Sequence, residues 1–170
     1  MNDYSGTSLR IGVLSDTHLP DSVDAQAFLL ELIENVLAPI DMLLHAGDLV
    51  DPGLLSAFDG YPHHVVRGNM DTATAGVPSK KIIDVGGFTI GMMHGWGPPD
   101  GLEERVLSEF DSVSLDCLVY GHSHLPACHS RDGVLFFNPG SATDRRDMPY
   151  HSVGLLEIGS TIEGTIIRLD

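Results

Sequence analysis

Lysine and cysteine are both scarce in this chain, and each shortage excludes a class of function. Lys80 and Lys81 are the only lysines, and nine basic residues stand against 24 acidic ones, giving a formal net charge of −15. A chain this acidic repels a phosphate backbone, so broad nucleic-acid binding is not expected. Cys117 and Cys128 form no C-x-x-C pair, so we expect reduced thiols and neither a disulfide framework nor a thiolate metal site.

Long apolar runs and targeting signals are missing as well. No apolar stretch reaches the ~20 residues that a membrane-spanning helix needs, so no membrane association is expected. The first residues lack the basic start and apolar stretch of a signal peptide, which predicts a cytoplasmic location. The length of 170 residues fits one domain covering residues 1–170, with residues 1–8 expected to be flexible.

Apolar strand patterns alternate with amphipathic helix patterns in the first part of the chain. Ser22 is placed to cap a helix that runs to about Leu37, and Asp51 with Pro52 opens a short helix through Phe58. The predicted strands are residues 9–14, 42–45 and 63–67. This β-α-β-α-β order predicts a parallel sheet with right-handed crossovers.

The second part of the chain has the pattern of hairpins around one helix at 101–110. Glycine-containing turns separate three pairs of apolar runs. The predicted strands are residues 81–85, 88–93, 117–120, 127–130, 134–137, 152–158 and 161–169. We therefore predict an α/β (α+β) fold in which a mixed sheet, or two sheets packed together, has helices outside.

Five short segments with metal-ligating side chains each follow a predicted strand, where open α/β sheets place their ligands. They are Asp16-Thr17-His18, Gly47-Asp48, Gly68-Asn69-Met70-Asp71, His94 and Gly121-His122-Ser123-His124. Each segment alone is common in ordinary loops, but the combination is far more specific. Oxygen and imidazole ligands without thiolate favour Mn²⁺, Fe²⁺, Ni²⁺, Zn²⁺ or Mg²⁺ over a structural zinc site.

The order of these five segments resembles the calcineurin-like metallophosphoesterases, from Ile11 to the last hairpin. The short length and the closing segment 138–141, Asn-Pro-Gly-Ser, look like the compact prokaryotic phosphodiesterase branch. That branch is similar to a retromer subunit that has kept the fold and largely lost the chemistry. The resemblance implies a two-sheet β-sandwich flanked by helices, and we expect segment 138–141 to fix the loop beneath the metal site.

The resemblance also implies two divalent metal ions, with Mn²⁺ expected and Ni²⁺, Fe²⁺, Zn²⁺ or Mg²⁺ as alternatives. The implied ligands of the first ion are Asp16, His18, Asp48 and His124. Those of the second ion are Asp48, Asn69, His94 and His122. Asp48 would bridge the two ions, because a carboxylate can reach ions ~3.5–4 Å apart. The residues given catalytic roles are Asp48, Asn69 and His94.

The resulting hypothesis is a phosphodiesterase that hydrolyses a small phosphodiester, or another phosphate ester, by attack of a metal-bridging hydroxide. Two divalent ions carry more charge than Asp16, Asp48 and the hydroxide remove, so they attract an anionic ester. Many larger family members carry His where this chain has Met70, so we expect preference for esters with good leaving groups. Arg67 and Arg145 are candidate substrate-binding residues, since Arg matches phosphate geometry.

Several readings stay open at this point. One alternative is a catalytically weak scaffold with the same fold that binds protein partners. Another is a metal-dependent hydrolase of non-phosphate bonds, although that class tends to use H-x-H where this chain has Asp16 and His18. Asp71 is expected to hold a ligand such as His94 or His124 by a hydrogen bond. Apolar hairpins near the C-terminus allow a homodimer.

Overall fold

The computed structural model describes residues 8–73 and 76–170, so most of the segment expected to be flexible lies outside the described residues. The strands are β1 (Leu9–Leu14), β2 (Met42–His45), β3 (His63–Val65), β4 (Lys80–Val85), β5 (Phe88–Met93), β6 (Cys117–Val119), β7 (Ala127–Arg131), β8 (Val134–Asn138), β9 (Ser152–Ile158) and β10 (Ile162–Arg168). The helical segments are α1 (Val23–Glu31), a π-helical continuation (Leu32–Leu37), a 3₁₀ helix (Pro52–Phe58) and α2 (Leu102–Ser108). None of these described helices is long and apolar enough to cross a membrane.

The first sheet has the strand order β10-β9-β1-β2-β3. Strands β1, β2 and β3 run parallel, with Leu14 opposite His45 and His45 opposite Val65. This confirms the parallel sheet predicted from the β-α-β-α-β pattern. Strand β9 pairs antiparallel with the other side of β1, so the C-terminal hairpin completes the sheet that the N-terminal strand begins.

The second sheet has the order β4-β5-β6-β8-β7. Its three inner strands, β5, β6 and β8, are parallel, and the two edge strands are antiparallel to their neighbours. The segments that follow β5 and β6 therefore leave the sheet at the same end. They carry His94, directly after β5, and Gly121-His122, which follow Tyr120 after β6, and both belong to the five groups singled out in the sequence.

The main core lies between the two sheets and is formed by alternate residues of their strands. It includes Ile11, Val13, Leu44, Ile90, Met92, Val119, Phe137 and Leu156. A second cluster packs α1, the π-helical segment and the 3₁₀ helix on the outer face of the first sheet. A third packs α2 on the outer face of the second sheet through Leu118 and Phe136. The predicted two-sheet sandwich flanked by helices is confirmed.

The helix after β1 differs from its prediction in its second half. Ser22 accepts the Ala25 amide at 3.1 Å, as expected of its N-cap. From Leu32 onward the helix widens, and the Ala38 amide bonds to Ile33 O five residues back at 2.8 Å. A side chain at Gly12 would meet Leu37 at 3.0 Å, so glycine lets this widened turn pack directly on β1.

Strand β3 is shorter than predicted, and the two cysteines are not bonded to each other. Strand β3 ends at Val65, two residues earlier than predicted, and the Arg67 amide leaves the sheet to bond to Pro78 O at 2.8 Å. Both cysteines are free thiols, with Cys117 buried and Cys128 exposed. This agrees with the absence of a disulfide framework expected from the sequence, and the redox state of the thiols stays a prediction.

Candidate metal centre

The five segments meet at one edge of the sandwich, at the carboxyl ends of β1, β2, β3, β5 and β6. Asp16 Oδ1 lies 3.3 Å from His124 Nε2, 3.6 Å from His94 Nε2 and 3.8 Å from His18 Nε2. His122 reaches the same cluster because its amide donates to Asp16 Oδ2 at 3.0 Å. Side chains more than 100 residues apart in the chain therefore face one another across the two sheets.

The turns that carry these side chains hold their residues in an unusual backbone conformation. Left-handed φ angles occur at Asp16 (54°), His18 (44°), Asp48 (56°), His122 (69°) and His124 (61°). Such angles in non-glycine residues cost of order 1 kcal/mol or more each and persist only where the surroundings enforce them. Five of the seven predicted ligands lie in turns of this kind, as expected where strain serves a site.

Asp16 is the most deeply placed carboxylate of the cluster, with no exposed surface. Its Oδ2 atom accepts the Ser15 hydroxyl at 2.7 Å in addition to the His122 amide. Its Oδ1 atom has no hydrogen-bond partner among the described residues. A buried carboxylate oxygen without a donor is costly, and a bound cation removes that cost.

Asp48 divides its two oxygens between the backbone and the cluster. Oδ1 accepts the Met70 amide at 2.8 Å. Oδ2 lies 3.5 Å from His18 Nε2 and 3.2 Å from His94 Nε2. Because His18 and His94 belong to different predicted ion positions, Oδ2 is the oxygen suited to bridge them.

Three histidine rings are fixed by backbone carbonyls. A carbonyl only accepts, so the nitrogen that faces it carries the proton and the other ring nitrogen presents its lone pair to the cluster. The three pairs are His94 Nδ1 with Ala46 O (2.8 Å), His122 Nε2 with Gly97 O (2.8 Å) and His124 Nδ1 with Asp144 O (2.5 Å). This is the arrangement in which proteins present imidazole to a metal ion.

Acceptor atoms consequently face other acceptor atoms. Asn69 Oδ1 lies 3.0 Å from His94 Nε2 and 3.1 Å from His122 Nδ1. On the other side of the cluster, His124 Nε2 lies 3.3 Å from His18 Nε2 and from Asp16 Oδ1. Lone pairs that point at one another repel unless a positive charge lies between them, so both groups of atoms fit a cation.

The electrostatics of the cluster agree with that geometry. Burial would raise the pKa of Asp16, but the neighbouring His124, His18 and His94 outweigh it and hold this pKa well below its ordinary value. Burial would lower the pKa of His94, but the carboxylates of Asp48 and Asp16 outweigh it and raise this pKa. The nearby carboxylates of Asp16 and Asp48 raise the pKa of His18. The carboxylates therefore stabilise positive charge inside the cluster. Protons and metal ions can both carry that charge, so they compete for the same atoms.

Asp71 does not make the contact that the sequence predicted, a hydrogen bond to a histidine ligand. It accepts three backbone amides instead: Asp48 (2.8 Å), Val50 (2.6 Å) and Gly68 (2.8 Å). The prediction that it bonds to His94 or His124 is wrong in this respect. Asp71 joins the turn after β2 to the turn after β3 and so sets the distance between Asp48 and Asn69.

Two further supports lie beneath Asp16 and Asp48. Segment 138–141 fixes the loops as expected: Ser141 Oγ donates to Asp16 O at 2.7 Å, and Asn138 Nδ2 donates to Gly121 O at 3.1 Å. His45 is fully buried, accepts the Gly47 amide at 3.2 Å and contacts Thr17 Oγ1 at 3.1 Å. Burial lowers the pKa of His45 to about 4, so its ring is neutral at pH 7.

The two arginines predicted to bind substrate lie around the cluster and not in it. Arg145 is exposed and donates to Met148 O at 3.0 Å. It directly follows Asp144, whose carbonyl fixes the His124 ring. Arg67 is half-buried and lines a small cavity together with Asp71. Substrate contact by either residue stays a prediction.

The fold and the sequence both match known proteins. Residues 9–161 match the model of the calcineurin-like phosphoesterase superfamily domain. A probable metallophosphoesterase of Methanothermobacter thermautotrophicus is 32% identical over 163 residues, covering 94% of this chain and 92% of that protein.

Two solved structures share the architecture over almost their whole length. An archaeal phosphodiesterase has a TM-score of 0.72 at 20% identity, covering 95% of this chain and 100% of that one. Wild-type Vps29 of Entamoeba histolytica, solved in complex with Zn²⁺, has a TM-score of 0.68 at 26% identity, again covering 95% of this chain and 100% of that one. The family match over most of the chain agrees with the resemblance drawn from the five segments. This chain belongs to the calcineurin-like phosphoesterase superfamily.

Proposed function

We propose that this chain is a metal-dependent phosphodiesterase whose centre holds two divalent ions. The observation that carries the proposal is the pair Asp16 Oδ1 and His124 Nε2. Both atoms are buried, both are acceptors, and they lie 3.3 Å apart with no donor for Asp16 Oδ1 among the described residues. A metal ion explains an arrangement that hydrogen bonding leaves unsatisfied.

The donor set fits two ions. Asp16, His18 and His124 form one group with metal-ligand spacing, and Asp16, Asp48 and His94 form another. Asn69 and His122 extend the second group through the contacts described above. With oxygen and imidazole donors only, Mn²⁺ is the metal we propose.

Divalent ions bound there would polarise a phosphate ester and lower the pKa of a water molecule towards ~7. The chain's own contribution is orientation. The carbonyls of Ala46, Gly97 and Asp144 fix the three rings, and the Met70 amide fixes the Asp48 carboxylate. Because these contacts exist before substrate arrives, little reorganisation is needed during the reaction.

The surroundings of the centre favour esters with an apolar or aromatic group. Met70, Trp96 and Leu125 are 56%, 41% and 36% exposed, and each follows a proposed ligand by one or two residues. They are half of the six large apolar side chains exposed in the described part of the chain. Met70 offers no proton to a departing alkoxide, so aryl diesters, which leave without protonation, suit this centre.

The proposal is tested with metal-free protein and bis(4-nitrophenyl) phosphate, a diester, beside 4-nitrophenyl phosphate, a monoester. We expect no turnover until Mn²⁺ is added, and then faster cleavage of the diester. Asp16→Asn should lose this activity, whereas Asp51→Asn should retain it, since Asp51 caps the 3₁₀ helix and Asn is an equally good cap. Equal activity of wild type and Asp16→Asn with Mn²⁺ would refute the assignment.

A scaffold function is the second candidate, and the exposed apolar side chains around the centre favour it too. The structural similarity to Vps29 solved with Zn²⁺ suggests that a chain with this fold binds metal whether or not it turns over esters. Two bound ions with no cleavage of any mono- or diester would select the scaffold. Size-exclusion chromatography of the same sample tests the predicted homodimer.

A further inference from the structure

The loop between β5 and α2, residues 94–101, contributes to the centre at two points. His94 begins the loop, and the Gly97 carbonyl accepts the His122 Nε2 proton at 2.8 Å. The Gly97 contact decides which nitrogen His122 presents to Asn69. Whatever holds Gly97 in place therefore also orients His122.

The composition of this loop limits the hydrogen bonds that it can form within itself. Gly95, Gly97 and Gly101 have φ angles of 102°, 80° and 73°, which other residues adopt only with strain. Pro98 and Pro99 have no amide hydrogen, so they cannot bond to the loop's own carbonyls. The loop needs donors from outside.

Arg105, in the last turn of the short helix α2, supplies them. Its Nε donates to Trp96 O at 3.0 Å and its Nη1 to Asp100 O at 2.9 Å, while its Nη2 donates to Pro98 O. All three guanidinium nitrogens thus bond to carbonyls of one short loop. A side chain at Gly97 would meet Arg105 Nη2 at 3.2 Å, so the glycine lets the guanidinium approach.

Neighbouring carbonyls of the loop point to different partners. The carbonyls of residues 96, 98 and 100 bond to Arg105, whereas the carbonyl of residue 97, between the first two, bonds to His122. Turning Gly97 away from His122 would require the bonds on either side of it to rearrange. The planar guanidinium therefore sets the direction of the carbonyl that it does not touch.

We propose that Arg105 is a positioning residue of the metal centre, acting through the Gly97 carbonyl on His122 and so on the second ion. This inference rests on the proposed function, because it requires an ion at the Asn69, His94 and His122 position. Arg105 itself touches none of the proposed ligands in the contacts described above. Lysine cannot replace it, because one ammonium group cannot reach three separate carbonyls in a fixed fork.

The test measures ion binding to the full chain by calorimetric titration of metal-free protein with Mn²⁺. We expect Arg105→Lys to bind the first ion like wild type and the second ion about 10- to 100-fold more weakly, the usual cost of losing an outer contact that orients a ligand. The matched control is Arg10→Lys. Arg10 also donates through Nε to a carbonyl, Pro39 O at 2.7 Å, and pairs with Glu157, away from the centre.

A second measurement separates positioning from simple stability. In ¹⁵N spectra of the histidine rings of metal-free protein, wild-type His122 should carry its proton on Nε2, and Arg105→Lys should shift part of the population to Nδ1. Arg10→Lys should leave the His122 signals unchanged. A residue that merely stabilises the fold would lower the melting temperature without moving this equilibrium.

A double-mutant cycle tests the route through His122. In a His122→Ala background the ring is gone, so adding Arg105→Lys should not weaken the second ion further. An additive loss would overturn the proposal, and so would a single Arg105→Lys variant with wild-type affinity for both ions. If Arg105→Lys does not fold, Arg105→Gln replaces it, and failure of both to fold assigns Arg105 to stability alone and also overturns the proposal. Absence of two ions in the wild type would instead refute the proposed function.

Discussion

The two proposed ion positions are built from different kinds of structure. At the first position Asp16 and His124 are almost completely buried. Asp16 comes two residues after β1, and its turn is bonded to the turn of Asp48 by the Asp16 amide and Gly47 O at 2.9 Å. This position depends on short turns at the ends of adjacent parallel strands.

The second position depends more on loops. His94 follows β5 directly and is buried, but Asn69 is exposed and His122 is only half-buried. The contacts that orient His122 come from the loop of residues 94–101, which Arg105 holds from its outer side. We therefore expect the first position to be the more rigid of the two, because the turns of Asp16 and Asp48 are bonded to each other, and to bind its ion more tightly.

Removal of the residue shared by both positions should have the largest effect. Asp48→Asn keeps the shape of the side chain but removes its negative charge and one of its two oxygens, so it bridges two ions poorly. We therefore expect loss of both ions and a fall in turnover of about 10³-fold or more. Mn²⁺ content and initial rates on an aryl diester measure the two losses. Asp51→Asn, three residues along the chain, is the control and should retain both. Two tightly bound ions in Asp48→Asn would contradict a bridging role.

Variants that touch one position each should then separate the two ions. His18→Ala should weaken the first ion and Asn69→Ala the second, with activity falling about 10²-fold in either case because both ions are needed. Calorimetric titration with Mn²⁺ measures the two affinities. Loss of both ions in Asn69→Ala would show that the positions are not independent, against the comparison above.

Acid should weaken the support beneath the first position through His45. Burial lowers the pKa of His45 to about 4, below the ~6.5 of an unfolded chain, so its share of stability is full above pH ~6.5 and is lost as pH falls towards 4. The loss is on the order of 3 kcal/mol at ~1.4 kcal/mol per pKa unit. Urea unfolding from pH 7 to pH 4 measures it. His45→Asn should flatten the curve, because asparagine carries no titratable ring.

The side chain at position 70 should tune the chemistry at the second position. Met70→His adds a proton donor beside Asn69, so we expect turnover of esters with poor leaving groups to rise by about 10- to 100-fold and that of aryl esters to change little. A rate comparison across leaving groups of increasing pKa measures this. Met70→Gln is the control, since glutamine is polar but has no group that can act as an acid or base near pH 7. An identical dependence on the leaving group in both variants would contradict the expected role.

The smallest effect is expected at the apolar rim. Trp96→Ala should raise KM for an aryl diester by about 3- to 10-fold, equivalent to about 1 kcal/mol of lost aromatic contact, and leave kcat nearly unchanged. Leu30→Ala, which also removes an exposed apolar side chain but lies on α1, is the control. An unchanged KM in Trp96→Ala would remove Trp96 from the substrate site.

Much of this centre could be predicted because strand ends have a clear sequence signature. Apolar runs such as residues 9–14 end in polar residues, and parallel strands bring those ends together, so Asp16, Asp48 and His94 could be placed beside one another. The breaks in apolar pattern also located the hairpins. The resemblance to a known family supplied the assignment of ligands to two ions.

The parts that could not be predicted depend on contacts of backbone atoms and on which turns lie next to each other in the fold. The carbonyls of Ala46, Gly97 and Asp144 orient three rings, but a carbonyl is present in every residue and leaves no signal in the sequence. Asp71 was expected to hold a side chain, yet it bonds to three amides because the turns after β2 and β3 meet there. The widened helix at Leu32–Leu37 has the same apolar spacing as an ordinary one.

The most direct test of the two-ion centre is anomalous X-ray diffraction from crystals of the full chain grown with Mn²⁺. The account predicts two anomalous peaks ~3.5–4 Å apart, bridged by Asp48, with one peak against Asp16, His18 and His124 and the other against Asn69, His94 and His122. One peak alone, or peaks away from these seven side chains, would contradict it.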